Sequence, residues 1–172
     1  MNYPEEQNSG EFSGIDKFII QEKSREIFVL DSSVIFKWFY SENESGTEAA
    51  RILYEKATLK NFYILSPELL IYELLNIFRF RTNISEKLLE DIIREIFNIL
   101  IFPKLDRKSY IMAHEISRKI KASIYDCIYI AMSEIYKAPL IAADKKLCES
   151  AKSLNFNIVF LDDFVSFKSK GN

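Results

Sequence analysis

The chain has 172 residues, 48% of them hydrophobic and 28% charged, with a formal net charge of -2. That length supports one full hydrophobic core rather than two, and the near-neutral balance excludes a protein held to nucleic acid by bulk charge while leaving room for a local basic rim. A single histidine excludes multi-histidine zinc centres, and four glycines, none of them between 47 and 170, exclude phosphate-cradling and dinucleotide-binding loops.

Residues 1–26 are polar, hold two of the glycines and show little periodicity, which predicts a flexible N-terminal extension, with Phe18, Ile19 and Ile20 as a short docking segment. From Ile27 onward, to about residue 168, short apolar runs alternate with helical patterns. IFVLD reads as a buried strand ending on Asp31. TEAARILYEKATL lines Ala49, Ile52, Leu53 and Ala57 along one helix face. FYIL is a second strand, and SPELLIYELLNIFRFR a helix with Ser66 as its N-cap and Pro67 in the first helical position. SEKLLEDIIREIFNIL repeats apolar pairs at Leu88/Leu89, Ile92/Ile93 and Ile96/Phe97, the strongest helix signal in the chain. A short LIF strand and the helix DRKSYIMAHEISRKI follow, and His114 within that helix reads as structural, with no GxSxG elbow to partner it. ASIYDCIYIAM opens the next helix, PLIAAD is a strand ending on Asp144, KKLCESAKSL a helix and NIVFL a last strand. Strands separated by helices predict an α/β fold, a three-layer α/β/α sandwich around a central parallel sheet.

In such sheets the functional crevice lies beyond the carboxyl ends of the strands, where Asp31 and Asp144 both stand. Each acid also has a plain structural role. Asp31 and Asp144 precede helices and suit N-caps. Asp126 follows Ser123 by three residues, matching the capping box in which the acid reaches back to the cap amide. Glu73, mid-helix, suits an exposed acid or a salt bridge. Taken together, two aspartates ending apolar strands, one opening an apolar helix and a glutamate interrupting another helix call for a counter-charge. With one histidine and no thiolate pair the ligands are oxygens, which select Mg²⁺ or Mn²⁺, and a hard cation among carboxylates suits phosphate-ester hydrolysis.

Four segments in order resemble the PIN-domain family, most closely its VapC-type ribonuclease toxins. FVLDSSVIFKWF is similar to the first strand and its terminal Asp. SPELLIYELLNIF fits P-x-L-x-x-x-E-x-x-N with Pro67, Glu73 and Asn76. SIYDCIYIAMSEIYKAPLIAAD fits the Y-D-A-x-Y-x-A-x-A…L-x-T-x-D block with Asp126 and Asp144, and NIVFLDDF resembles the closing strand. The resemblance spans residues 27–165. It implies that Asp31, Glu73, Asp126 and Asp144 form a catalytic, metal-binding cluster for Mg²⁺ or Mn²⁺. Ser33 would orient Asp31, and Asn76 would share the helix face of Glu73. It further implies a metal-dependent endoribonuclease, the toxin of a toxin–antitoxin pair, acting on RNA as a homodimer and inhibited by a VapB-like antitoxin. A housekeeping RNA-processing nuclease and a silent binding module of the same fold are the alternatives. The sequence departs from the family at Ala142, where Thr is common, and at Cys127, where Ala is. Lys37, Arg79, Arg81, Arg118, Lys121, Lys145 and Lys146 are candidates for RNA phosphate contacts, each with ordinary solvated surface as its plain reading. Trp38 to Tyr40 would stack bases or pack in the core.

Cys127 and Cys148 lack CxxC spacing and sit in apolar helical patterns, which predicts a reduced, cytoplasmic protein. No apolar run reaches the roughly 18–20 residues needed to span a membrane, and the N-terminus carries no signal-peptide core.

Overall fold

A computed structural model describes residues 26–40, 45–81 (without the Arg81 side chain) and 84–164. Of the predicted N-terminal extension only Glu26 lies within them, opening the first strand; the Phe18–Ile20 segment lies outside. In chain order the elements are β1 (Glu26–Leu30), α1 (Ser32–Phe39), α2 (Thr47–Thr58), β2 (Phe62–Leu65), α3 (Leu69–Arg81) and α4 (Glu86–Ile99). Then come β3 (Leu100–Ile101), α5 (Arg107–Ile120), α6 (Ile124–Tyr136), β4 (Leu140–Ala142), α7 (Lys145–Lys152), β5 (Ile158–Phe160) and a 3₁₀ turn (Leu161–Asp163).

All five strands are parallel, in the order β3-β2-β1-β4-β5. From β1 the chain builds outward to β3, then returns past β1 to lay β4 and β5 on the other side. Right-handed crossovers put α1–α4 on one face and α5–α7 on the other, the predicted α/β/α sandwich. The order reverses between β1 and β4, so the crevice opens there. Val29, Leu30, Ile141 and Ala142 are fully buried, as a strand covered on both faces requires.

Several local expectations change. Ser66 does not cap α3, which begins at Leu69 after a turn in which the Leu70 N–H donates to Pro67 O. Ser66 is fully buried at the end of β2, and its hydroxyl donates to Leu30 O at 3.1 Å, the carbonyl just before Asp31. A buried hydroxyl bonds the nearest open acceptor, and here that acceptor is across the sheet. In α4 the apolar pairs split: Ile92 and Ile96 are buried, whereas Leu88 and Phe97 are more than half exposed.

With no glycine available, three helices end on lysines in the left-handed region: Lys60, Lys121 and Lys137, with φ of 54°, 56° and 52°. A lysine there suits the negative helix end but bears a Cβ clash of about 1 kcal/mol that glycine avoids. Lys137 is exposed at the end of α6. Lys137→Gly is therefore expected to stabilise the fold by about 0.5–1 kcal/mol, read as a rise of roughly 1–4 °C in the melting midpoint; an unchanged or lower midpoint would show the strain is relieved elsewhere.

Candidate functional site

The crevice between β1 and β4 is built from helix beginnings. Helices α1, α3 and α7 start directly beyond strand ends, and α6 runs back toward β4, so its N-terminus lies at the same edge. The partial positive charge of each favours acids there.

Asp31 carries both of its sequence readings at once. It caps α1, with Oδ1 accepting from the Ser33 N–H at 2.9 Å and from the Ser33 hydroxyl. Both bonds fall on Oδ1, leaving Oδ2 for a ligand. The residue is only 7% exposed. Burial, opposed by the Ser33 hydrogen bonds and reinforced by the charges of Glu73 and Asp126, pushes its carboxyl up to about 6. The charged neighbours acting on Asp31 are thus both negative. Ser33 does more than orient Asp31: its hydroxyl also accepts from the Ala143 N–H at 3.1 Å, tying the end of β1 to the segment leaving β4.

Glu73, on the second turn of α3, is half-buried rather than a surface acid or salt-bridge partner. Its Oε2 accepts from the Tyr129 hydroxyl at 2.5 Å. Burial raises its carboxyl, against hydrogen bonds from Tyr129 and Ser32 that lower it. Asp126 is half-buried at the start of α6, where Ser123 accepts from its N–H at 3.1 Å and donates its hydroxyl to Oδ2 at 2.8 Å. Only half of the predicted capping box forms: the acid takes the cap hydroxyl, not the cap amide.

Asp144 stands apart. It is exposed and caps α7, accepting from the Leu147 N–H at 3.1 Å. It shares with Asp31 an influence on buried Cys148, whose thiol burial pushes up to about 11. Asp31, Glu73 and Asp126 are therefore brought together electrostatically, and Asp144 borders them. Among the described residues no three Asp, Glu, His or Cys side chains stand close enough to hold a metal ion as placed. In kind and charge the donors fit a hard divalent cation: oxygens only, a free Asp31 oxygen, and mutual repulsion that a cation would relieve.

Asn76 is exposed one turn after Glu73, and Arg79, Arg118, Lys121, Lys145 and Lys146 are exposed; Arg79 lies 5.0 Å over the Phe80 ring. Lys145 and Lys146 open α7 beside Asp144, and Lys121 lies two residues before Ser123. Lys37, on α1, is buried at 9% exposure, unlike these exposed cations, and already has an interaction within the fold. Trp38 packs on Phe39 and Tyr54 instead of forming an open stacking platform.

Comparison with known families matches residues 28–153 to the PIN domain, well over half of the chain. The chain belongs to the PIN domain family. PIN domains are typically nucleases that bind divalent metals such as Mg²⁺ or Mn²⁺ and act on RNA. Among solved structures this PIN domain is similar to PAE2754 from Pyrobaculum aerophilum, with a TM-score of 0.60 and 13% identity over 85% of this chain and 96% of that one. At that identity the likeness speaks for the fold. No curated protein sequence matches the chain. No helix among the described residues is long and apolar enough to cross a membrane.

Two residues of this site carry no role in the sequence reading, Ser32 and Tyr129. Tyr129 stands at the second Tyr of the Y-D-A-x-Y block, and its spacing was the available signal: it follows Asp126 by three residues, on the same helix face.

Proposed function

We propose that this PIN domain is a Mg²⁺- or Mn²⁺-dependent endoribonuclease and the toxin of a toxin–antitoxin pair, working as a homodimer restrained by a VapB-like antitoxin. The observation that carries the hydrolase reading is Asp31, buried at the switch point with its carboxyl pushed up to about 6 and facing two further acids. Acids collected where the fold opens need a positive partner, and RNA phosphates need charge neutralised and water activated at the same place. Asp31, Glu73, Asp126 and Asp144 would hold the cation, which when bound supplies that neutralisation and an activated water. Ser33 keeps Asp31 turned into the crevice with one oxygen free. Glu73, half-buried and held by the Tyr129 hydroxyl, would offer its carboxylate to the same cation. Lys121, Lys145 and Lys146 border the acids in sequence and would seat the phosphates on either side of the cut.

Structured RNA incubated with the protein and Mg²⁺ tests the reading. Cleavage is expected to stop with EDTA and to fall by at least about 100-fold in Asp126→Asn. Equal cleavage by the variant, or cleavage indifferent to EDTA, would remove this site assignment. Growth arrest on induction, relieved by the product of the adjacent gene, is the outcome expected of a toxin; harmless expression would leave a housekeeping nuclease.

A further inference from the structure

We propose that Tyr129 and Ser32 form a positioning pair that holds Glu73 ready for the cation, an inference that rests on the metal-dependent reading above. Tyr129 is the largest fully buried side chain among the described residues. Its phenol is its one side-chain polar group, and a buried phenol needs a partner. It donates to Glu73 Oε2 at 2.5 Å, joining α6 to α3 across the site. Ser32, the first residue of α1 and itself buried, stands beside both groups, its hydroxyl opposing the rise that burial imposes on the Glu73 carboxyl and the Tyr129 phenol. Three helices thus converge on one carboxylate, and Asp31 and Asp126 are chain neighbours of the pair: Asp31 precedes Ser32, and Asp126 lies one turn before Tyr129.

A glutamate has three side-chain torsions, and fixing them on ligand binding opposes affinity. The bond from Tyr129 fixes Glu73 before any cation arrives. Removing it leaves the ligand in place but loose, which weakens metal binding without removing a group that reacts.

The test is calorimetric titration of the full chain with Mn²⁺ alone, without RNA, alongside RNA cleavage as a function of Mg²⁺ concentration. Tyr129→Phe keeps the ring and the core packing; Ser32→Ala leaves the core ring untouched and covers the case in which Tyr129→Phe folds poorly. Asp31→Asn reports on the metal reading itself. The expected result is roughly 10-fold weaker Mn²⁺ binding in Tyr129→Phe, a smaller loss in Ser32→Ala, and no detectable Mn²⁺ binding in Asp31→Asn. The half-saturating Mg²⁺ for cleavage rises by about the same factor, while the rate at saturating Mg²⁺ stays within a few-fold of the parent. A purely structural Tyr129 would lower the melting temperature and leave both metal concentrations unmoved. Parent-like Mn²⁺ affinity in Tyr129→Phe and Ser32→Ala, with binding lost in Asp31→Asn, overturns the positioning role and leaves the metal site standing. Parent-like affinity in Asp31→Asn overturns the metal reading, and this inference with it.

Discussion

Asp31→Asn is expected to give a metal-free protein more stable than the parent and an enzyme with no measurable activity. A carboxyl raised from 3.8 to about 6 binds its proton more tightly in the folded chain than in the unfolded one. Stability is therefore greatest while both states are protonated, below pH 4. It falls as pH rises through about 4–6 and stays reduced above, by about 3 kcal/mol for a shift of this size. Asparagine caps helices as well as aspartate does, and its amide oxygen can still accept the Ser33 N–H, so the substitution removes the buried charge and little else. At pH 7.5 the gain should be on the order of 2 kcal/mol, or roughly 4–8 °C in melting midpoint. The decline between pH 4 and 6 should flatten, leaving what Glu73, shifted in the same direction, contributes. Saturating Mg²⁺ should narrow the gap by stabilising the parent alone. Thermal melts across pH, with and without Mg²⁺, decide the matter. A variant that melts below the parent at neutral pH would mean that the acids do not burden the fold.

Ser33→Ala should have the second largest effect, on the cation rather than on the chain. The Ser33 hydroxyl gives one of the two bonds on Asp31 Oδ1 and receives the Ala143 N–H, so one deletion frees the acid and orphans an amide beside Asp144. Losing a group that orients a ligand typically reduces metal affinity by about 10–100-fold. The lost bonds should destabilise the fold by about 1–2 kcal/mol, partly offset by alanine's better helix propensity. Burial of Asp31 is opposed by these same bonds, so its carboxyl should rise further and the pH at which cleavage switches on should move up. Ser33→Thr, which keeps a hydroxyl, should recover most of the affinity. Metal affinity unchanged in Ser33→Ala would assign Ser33 to the fold alone.

The alternation of apolar runs and helical patterns made the layers legible, because strands buried on both faces must be short and apolar and covering helices must be amphipathic. Aspartates at strand ends were legible for the same reason: a charge closing a buried run can stand only where the sheet opens. Partners distant in sequence were not. Ser66 looked like a cap in its local window, and only the sheet brings it to Leu30 O, 36 positions earlier. Lys37 looked solvated because nothing local says that it is buried. In α4, each apolar pair offered two inward residues, and the depth of packing left Leu88 and Phe97 outside. Tyr129 stands in the quoted Y-D-A-x-Y block, but its partner was hidden, since a phenol amid Ile and Met differs from core only through what its oxygen meets.

The central place of β1 has a consequence for amide exchange. The Asp31 N–H donates to Ile141 O at 3.1 Å and the Val29 N–H to Pro139 O at 2.9 Å, both on the side facing β4, while β2 covers the other edge of the strand. Those amides open only when the sheet itself separates, so their deuterium uptake should track global unfolding, whereas the amides of α4, whose outer face is bare, should exchange through smaller openings. Asp31 is thus carried on the part of the backbone that releases last, and the outer face of α4 can fray and re-form many times without moving it.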